Sequence, residues 1–440
     1  MKRPIMVSLH MEFPGASTVD PFVESIDYPL FARIQRDPPT PTIDSVTEAT
    51  QQALSPILEN LPAASTVAVG VGSRGIASIE EITRTVVKAL RTHGHTPIII
   101  PAMGSHGGGT AEGQKALLAE FGITEDAIGC AIDARMDTTT IVDDPLTITV
   151  ADSLLDADAV LPINRIKPHT GFSGRVESGL CKMLVVGFGK HAGAQQFHRQ
   201  ATVHGFDTVL SEGIEAISEH ISVPGGIGIV ENVHETTALI EPVLADAFIE
   251  TEADLLEQAR QLRPTLPATT IDLLVVDRIG KDIAGTGMDT TLIGRTDRVY
   301  DQPQQAPSIE RIVVRGVTEA SHGNVNGIGL ADVIHQDVLE ACDLAATYAN
   351  VLTSGGLRNA ALPLALPSDE SVLSAAVRSL GSIPPDDLRI VWIQDTSQLS
   401  TFRLSETLVA ACTTAPDEVI GWDRLGFDTG AAVFEPVRED

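Results

Sequence analysis

The sequence predicts an α/β protein of two α/β domains, the first built on a mainly parallel sheet, with an active site in the cleft between them. Three observations predict it. Short apolar runs alternate with segments of helical period through the first part of the chain. The loops that follow those runs are rich in glycine. A new series of apolar runs then begins beyond a proline-bearing stretch near residue 265.

Taken in order, "STVAVGVG" (65–72) reads as a buried strand, and "SIEEITRTVVKALRTHG" (78–94) as an amphipathic helix ending at Gly94. "TPIIIPA" (96–102) is the next strand, and Thr110 caps the helix that starts "AEGQKALLAEFG". "DAVLPINRI" (158–166) is a further strand that runs into a loop containing both glycine and basic residues. "ARQLRPTLPATT" (259–270) is a linker, after which "IDLLVVDRIG" (271–280), "IERIVVRGV" (309–317) and "LRIVWIQD" (388–395) supply strands of the second domain. The expected division is therefore 1–268 and 269–415, with the tail 416–440 returning to the first domain. In sheets of this kind, functional loops gather at the carboxyl ends of strands.

Composition narrows the function. The chain has 440 residues, 43% of them hydrophobic, and a formal charge of −29. Such a charge repels nucleic acid and anionic membranes. No run of about 18 apolar residues exists to span a bilayer, and the opening "MKRPIMVSLHMEFPG" has no apolar signal core, so a cytoplasmic location is the expectation. Four scattered cysteines make no CxxC pair and read as reduced thiols. Only seven of 30 basic residues are lysine, and this lysine-poor, acid-rich balance suits a salt-loaded, halophilic cytoplasm.

Against that background residues 164–198 stand out. They hold three lysines and three histidines, and Arg165, Lys167, Arg175, Lys182 and Lys190 face a single acid, Glu177. This local inversion of charge predicts a pocket for an anion. Other candidates flank it. Arg74, in the tight turn "VGSRGI", has the planar fork that suits a carboxylate, or else pairs with Glu80 or Glu81 on the surface. In "GSHGGGT", the backbone N–H groups of Gly107, Gly108 and Gly109 at a helix start can hold a phosphate or carboxylate. His106 beside them serves as a general acid or base, or is incidental to the turn. The glycine spacing fits neither a Walker loop nor a dinucleotide fingerprint. His191 and His198 are seven residues apart with no carboxylate between them, which argues against a metal held by protein groups alone.

Arg74 in "GSRG", His106 in "MGSHGGGT", His169 in "KPHTGF", Lys182 in "SGLCK" and His198 in "QQFH", with "IGKDIAGTGMD" (279–289) further on, together resemble the nickel-dependent lactate racemases and related 2-hydroxyacid racemases and epimerases. The resemblance runs through most of the chain in order. Its most specific part is a lysine closing a glycine-bearing segment, with a histidine sixteen residues later.

The resemblance implies a pyridinium mononucleotide whose sulfur-bearing arms hold nickel as a pincer. Lys182 would be its covalent anchor and His198 the protein ligand to nickel, a donor set that suits Ni(II). It further implies racemisation by reversible hydride transfer from C2 of a 2-hydroxy acid. His106 and His169 would act as bases for the hydroxyl on its two faces, while Arg74, Lys281 and Arg175 hold carboxylate groups. Partners would be the small acid and the cofactor-synthesis enzymes. Leu180 and Cys181 interrupt the glycines before the lysine, and Gly107 stands where lactate racemase has arginine, so the substrate stays open within the 2-hydroxy acids. Two other readings of the same residues are a small-carboxylate or phosphate binding protein and a cofactor-independent isomerase or lyase using His106, His169 and Lys182.

Overall fold

The computed structural model describes residues 13–72, 75–169, 172–263, 265–297, 307–411 and 417–438. The chain forms two compact units: one is Pro39–Arg263, and the other joins the chain before it to the chain after it. The expected division at 268 is thus corrected at both ends. The reason is β1 (Phe31–Arg36), which hydrogen-bonds along both edges to strands from the far end of the sequence.

In the Pro39–Arg263 unit, β2 (Thr66–Val71), β3 (Thr96–Pro101), β4 (Thr138–Val142), β5 (Ile148–Ala151), β6 (Ala159–Arg165), β7 (Gly225–Glu231) and β8 (Thr237–Leu244) follow one another. Five of them make a sheet in the order β3-β2-β6-β7-β8, parallel except for β8, while β4 and β5 pair separately. The helix Ile79–Thr92 links β2 to β3 and buries Ile79, Ile82, Val86 and Leu90. That three-and-four spacing puts them on one stripe. They pack on Val67, Val69 and Val71 of β2, whereas Ala68 faces a second core containing Phe172, Leu180, Phe188, Phe197 and Phe206. Period-two alternation along β2 therefore splits the two cores. Because β2, β3 and β6 run parallel, the chain leaves all three at one edge of the sheet.

The other unit contains β1 and then β9 (Thr270–Val276), β10 (Ser308–Val314), β11 (Val333–His335), β12 (Leu364–Leu366), β13 (Ile390–Ile393), β14 (Thr401–Ser405), β15 (Asp417–Asp428) and β16 (Ala431–Arg438). Their order is β12-β11-β10-β9-β13-β14-β1-β15-β16. The first five are mutually parallel, and every pairing from β13–β14 onward is antiparallel. The tail, expected on the first domain, instead extends this sheet beyond β1, because β15 finds its backbone partners there. No helix among the described residues is long and apolar enough to cross a membrane.

Phe31 is fully buried and meets Phe434 and Trp392 edge-on, with ring centroids 5.4 and 6.5 Å away. Phe31→Ala is expected to cost about 3–5 kcal/mol, the range for emptying a buried aromatic site, as measured by urea unfolding.

Candidate active site

The chain leaving β6 forms a loop whose base is closed by Lys167 and Ser178. Each backbone N–H of this pair donates to the other's carbonyl, at 2.8 and 3.2 Å. Inside the loop lies Glu177, 2% exposed. Its carboxylate accepts the backbone N–H of His169 at 2.5 Å and of Gly174 at 3.3 Å, and an Arg260 N–H at 2.7 Å. Burial pushes this carboxyl above its usual range, while the bonds from His169, Arg260 and Gly174 pull the other way. The single acid of the basic stretch is therefore what shapes it: Glu177 replaces water as the acceptor for the turn that carries His169.

Beyond the loop, a short helix Leu180–Lys182 continues into a π-helical turn, Met183–Gly187. Turns of that kind alter the direction of successive side chains and recur at functional sites. The segment is anchored twice at its start. Asn164, near the end of β6, donates through Nδ2 to the Gly179 carbonyl at 2.9 Å, and the Cys181 N–H donates to Glu252 Oε2 at 2.8 Å. Glu252 comes from the helix Phe248–Gln261 and is completely buried. A Cβ at Gly179 would stand 2.1 Å from Glu252 Oε1, so only glycine leaves room for the carboxyl. Burial pushes the Glu252 carboxyl up from 4.5 to about 7, against the opposing bonds from Cys181 and Leu180. The Cys181 thiol is raised well above its ordinary value, first by burial and then by Glu252, which makes it a poor nucleophile.

An aromatic cluster joins three of the expected residues. The His169 ring lies on Phe172 with centroids 4.3 Å apart, and Phe172 stacks on Phe206 at 4.5 Å and 7°. Lys182 Nζ stands 5.5 Å from the Phe172 centroid, a cation–π distance. His198, from the helix Lys190–His204, meets the same cluster edge-on, 5.6 Å from Phe197 and 6.4 Å from Phe206. His198 is exposed, while His169 and Lys182 are half-buried. The phenylalanines themselves are buried, so they present a firm apolar floor to which two imidazoles and one ammonium are attached.

His106 lies on the neighbouring loop, after β3, and is exposed. Gly107, Gly108 and Gly109 follow with φ of 65°, 66° and 65°. Three successive left-handed positions explain the run of glycines. The loop rests on the end of the π-helical turn and the start of the helix Lys190–His204: the Gly104 N–H donates to the Gly187 carbonyl at 2.9 Å, and Gly109 lies against the His191 ring. From below it is braced by Lys190, fully buried, whose Nζ donates to the Pro101 carbonyl at 2.8 Å and to Gln114 Oε1 at 3.2 Å. Gln114 Nε2 in turn donates to the carbonyls of Gly104, at 3.0 Å, and His106, at 3.4 Å. Burial lowers the Lys190 ammonium to about 8, with Asp133 opposing.

Several expectations change here. The basic residues do not converge on one anion pocket. Arg165 is salt-bridged to Glu231, Lys190 is spent on backbone and amide oxygens, and Arg175, expected on substrate, is exposed and pairs with Glu250 at 2.9 Å. Lys281 belongs to the other unit, where Nζ bonds the Gly285 carbonyl and Asn350 Oδ1. Arg74 lies outside the described residues, although Gly72 before it lies close to Asn164 and Met183. Among the described residues no three His, Cys, Asp or Glu side chains group so as to hold a metal ion by themselves. Sequence reasoning missed Phe172, Phe206, Asn164, Glu252 and the role of Lys190. Glu252 did carry a signal, being an acid at a core position of the stripe Phe248, Glu252, Leu255, Leu256, Ala259.

Comparison with known proteins adds little to this geometry. No family model and no curated protein matches the chain. Among solved structures, a Thermotoga maritima protein is similar at 16% identity and a TM-score of 0.45, over 64% of this chain and 71% of its own. The lactate racemase apoprotein from Thermoanaerobacterium thermosaccharolyticum is similar at 12% identity and a TM-score of 0.44, over 83% of this chain and 85% of its own. Likenesses at this level carry no argument about chemistry.

Because the Glu252 carboxyl is raised, folding favours its neutral form. That stabilisation is complete below about pH 4.5 and is lost as pH rises through about 7. Glu252→Gln is therefore expected to lose less stability than the parent between pH 5 and 8, by roughly 2–3 kcal/mol, as read from urea midpoints across that range.

Proposed function

We propose that the protein is a racemase or epimerase of a 2-hydroxy acid that works with a lysine-tethered nickel-pincer nucleotide. The observation that carries this reading is the meeting of Lys182, His169 and His198 on one Phe172–Phe206 stack. These are the same residues through which the sequence resembles the nickel-dependent racemases. The residues present fit the group. The Lys182 amine would anchor the nucleotide, and the His198 imidazole would offer one nitrogen donor to nickel. When bound, that group supplies a reversible acceptor for the hydride on C2 of the substrate.

The chain's own residues do the rest. His169 and His106, on loops from β6 and β3, take and return the hydroxyl proton at an imidazole nitrogen, one for each face of the carbon. Glu177 and Arg260 fix the first of these loops, and Lys190 with Gln114 fixes the second, so both bases are positioned before substrate arrives. Arg74 would hold the substrate carboxylate through its planar fork. Phe172, Phe197 and Phe206 keep the floor apolar, which strengthens each charge interaction above it.

The test is to produce the protein together with the cofactor-synthesis enzymes and to map adducts by peptide mass. A nucleotide-sized adduct on Lys182, with near-stoichiometric nickel and interconversion of 2-hydroxyacid stereoisomers, is the expected result. Lys182→Ala should lose adduct and activity together, while His198→Ala should keep the adduct and lose nickel and activity. Full activity in Lys182→Ala would overturn the reading in favour of an acid–base isomerase.

A further inference from the structure

The helix Leu344–Ser354, between β11 and β12, is uncharged on every side. Its sequence is "LAATYANVLTS", and Asp343 caps it by accepting the Ala345 and Ala346 N–H groups at 2.8 and 3.0 Å. Thr347 and Val351 turn inward, where the Thr347 hydroxyl accepts the Val325 N–H at 3.1 Å. Leu344, Tyr348 and Leu352, spaced by four, form a stripe on the outside. A surface helix normally carries charged groups there, and a helix that is apolar all round is normally buried.

The apolar face continues along the chain. Leu357, Leu362 and Leu364 follow, the last of them on β12, and all six side chains are between 53% and 74% exposed. They are half of the large apolar side chains that are exposed among the described residues. The turn Leu357–Ala360 packs against the helix, and the chain then runs directly into β12. That strand ends its sheet with only β11 beside it, so its outer backbone edge is open. From 344 to 366 the one charged residue is Arg358, where the chain's average of 20% would place four or five. Single exposed leucines are ordinary, but a gathered set marks an interaction surface.

Charge and area select the occupant. Two copies of a chain at −29 repel each other over most of their surface. They can meet only where carboxylates are missing, and this face is such a place. A basic partner would be drawn to carboxylates, which this face lacks, and a membrane-binding face would ring its apolar residues with lysine and arginine. The six side chains together expose roughly 700 Å², close to the share of about 800 Å² that each partner gives to a standard interface. An apolar face is also complementary to itself, as a twofold axis requires.

We propose that the face carried by residues 344–366 joins two copies of the chain in a symmetric dimer. The helix stripe and the open edge of β12 in one copy lie against the same elements of the second. This contact is independent of the chemistry assigned to the Pro39–Arg263 unit.

The test is sedimentation velocity of the full-length chain over about a hundredfold range of concentration, in low salt and in about 1 M salt, where the Debye length falls to about 3 Å. A reversible monomer–dimer equilibrium is expected, tightened by salt because screening relieves the repulsion between copies. Leu352→Glu and Leu357→Glu should each raise the dimer Kd about tenfold or more, since each sets carboxylates of both copies into the contact. Leu155→Glu, at an exposed position of the other unit, should associate as the parent does. All three positions are exposed, so thermal unfolding of the dilute variants should match the dilute parent and separate loss of the dimer from loss of the fold. A chain that stays monomeric in both salts would overturn the proposal and leave the face to a different partner. So would a dimer that survives both leucine variants, or one that Leu155→Glu weakens equally.

Discussion

A buried carboxylate that accepts backbone N–H groups governs the candidate site. Glu177 holds the backbone of His169 and Gly174 in place, accepting the His169 N–H at 2.5 Å and an Arg260 N–H at 2.7 Å. Glu252 does the same one turn later for the segment that bears Lys182. Lys190 works with opposite sign, donating to oxygens beneath the His106 loop. Each of these groups has been taken out of water at a cost, and each offsets that cost only through the bonds it makes. The loops are therefore ordered by charge placed under them, with little contribution from apolar packing of their own glycines.

This arrangement explains why some of the site was readable in the sequence and some was not. The strands and helices of the Pro39–Arg263 unit follow from apolar period and from local caps such as Thr110, whose side chain accepts the Gly113 N–H at 3.1 Å. Lys182 and His198 were singled out through a family resemblance, and both side chains meet the same cluster of phenylalanines. Glu252 lies 70 residues beyond Lys182, and nothing local marks its partner. Lys190 misled for a related reason. In a lysine-poor, acidic chain a lysine beside glycines looks like an anion ligand, whereas its Nζ is occupied by Pro101 and Gln114.

The nine-stranded sheet was the harder inference. Its parallel part, β9 to β13, announces itself as apolar runs. β1, "FARIQR", is too short and too polar to declare its partners, and the register Phe31↔Ser405 joins positions that no local pattern links. The same register sets Arg33 opposite Arg403, and both reach the buried carboxylate of Asp423. Long-range pairing decides which side chains become neighbours, and only then does their chemistry acquire meaning.

The interleaved connectivity also bears on how the polypeptide matures as it is made. β1 leaves the ribosome early, yet its two hydrogen-bonding neighbours, β14 and β15, are translated only near the end. The intervening Pro39–Arg263 unit has all its strands in hand much sooner. Vectorial synthesis therefore favours completion of that inserted unit first, with the N-terminal strand held in reserve as an unpaired edge.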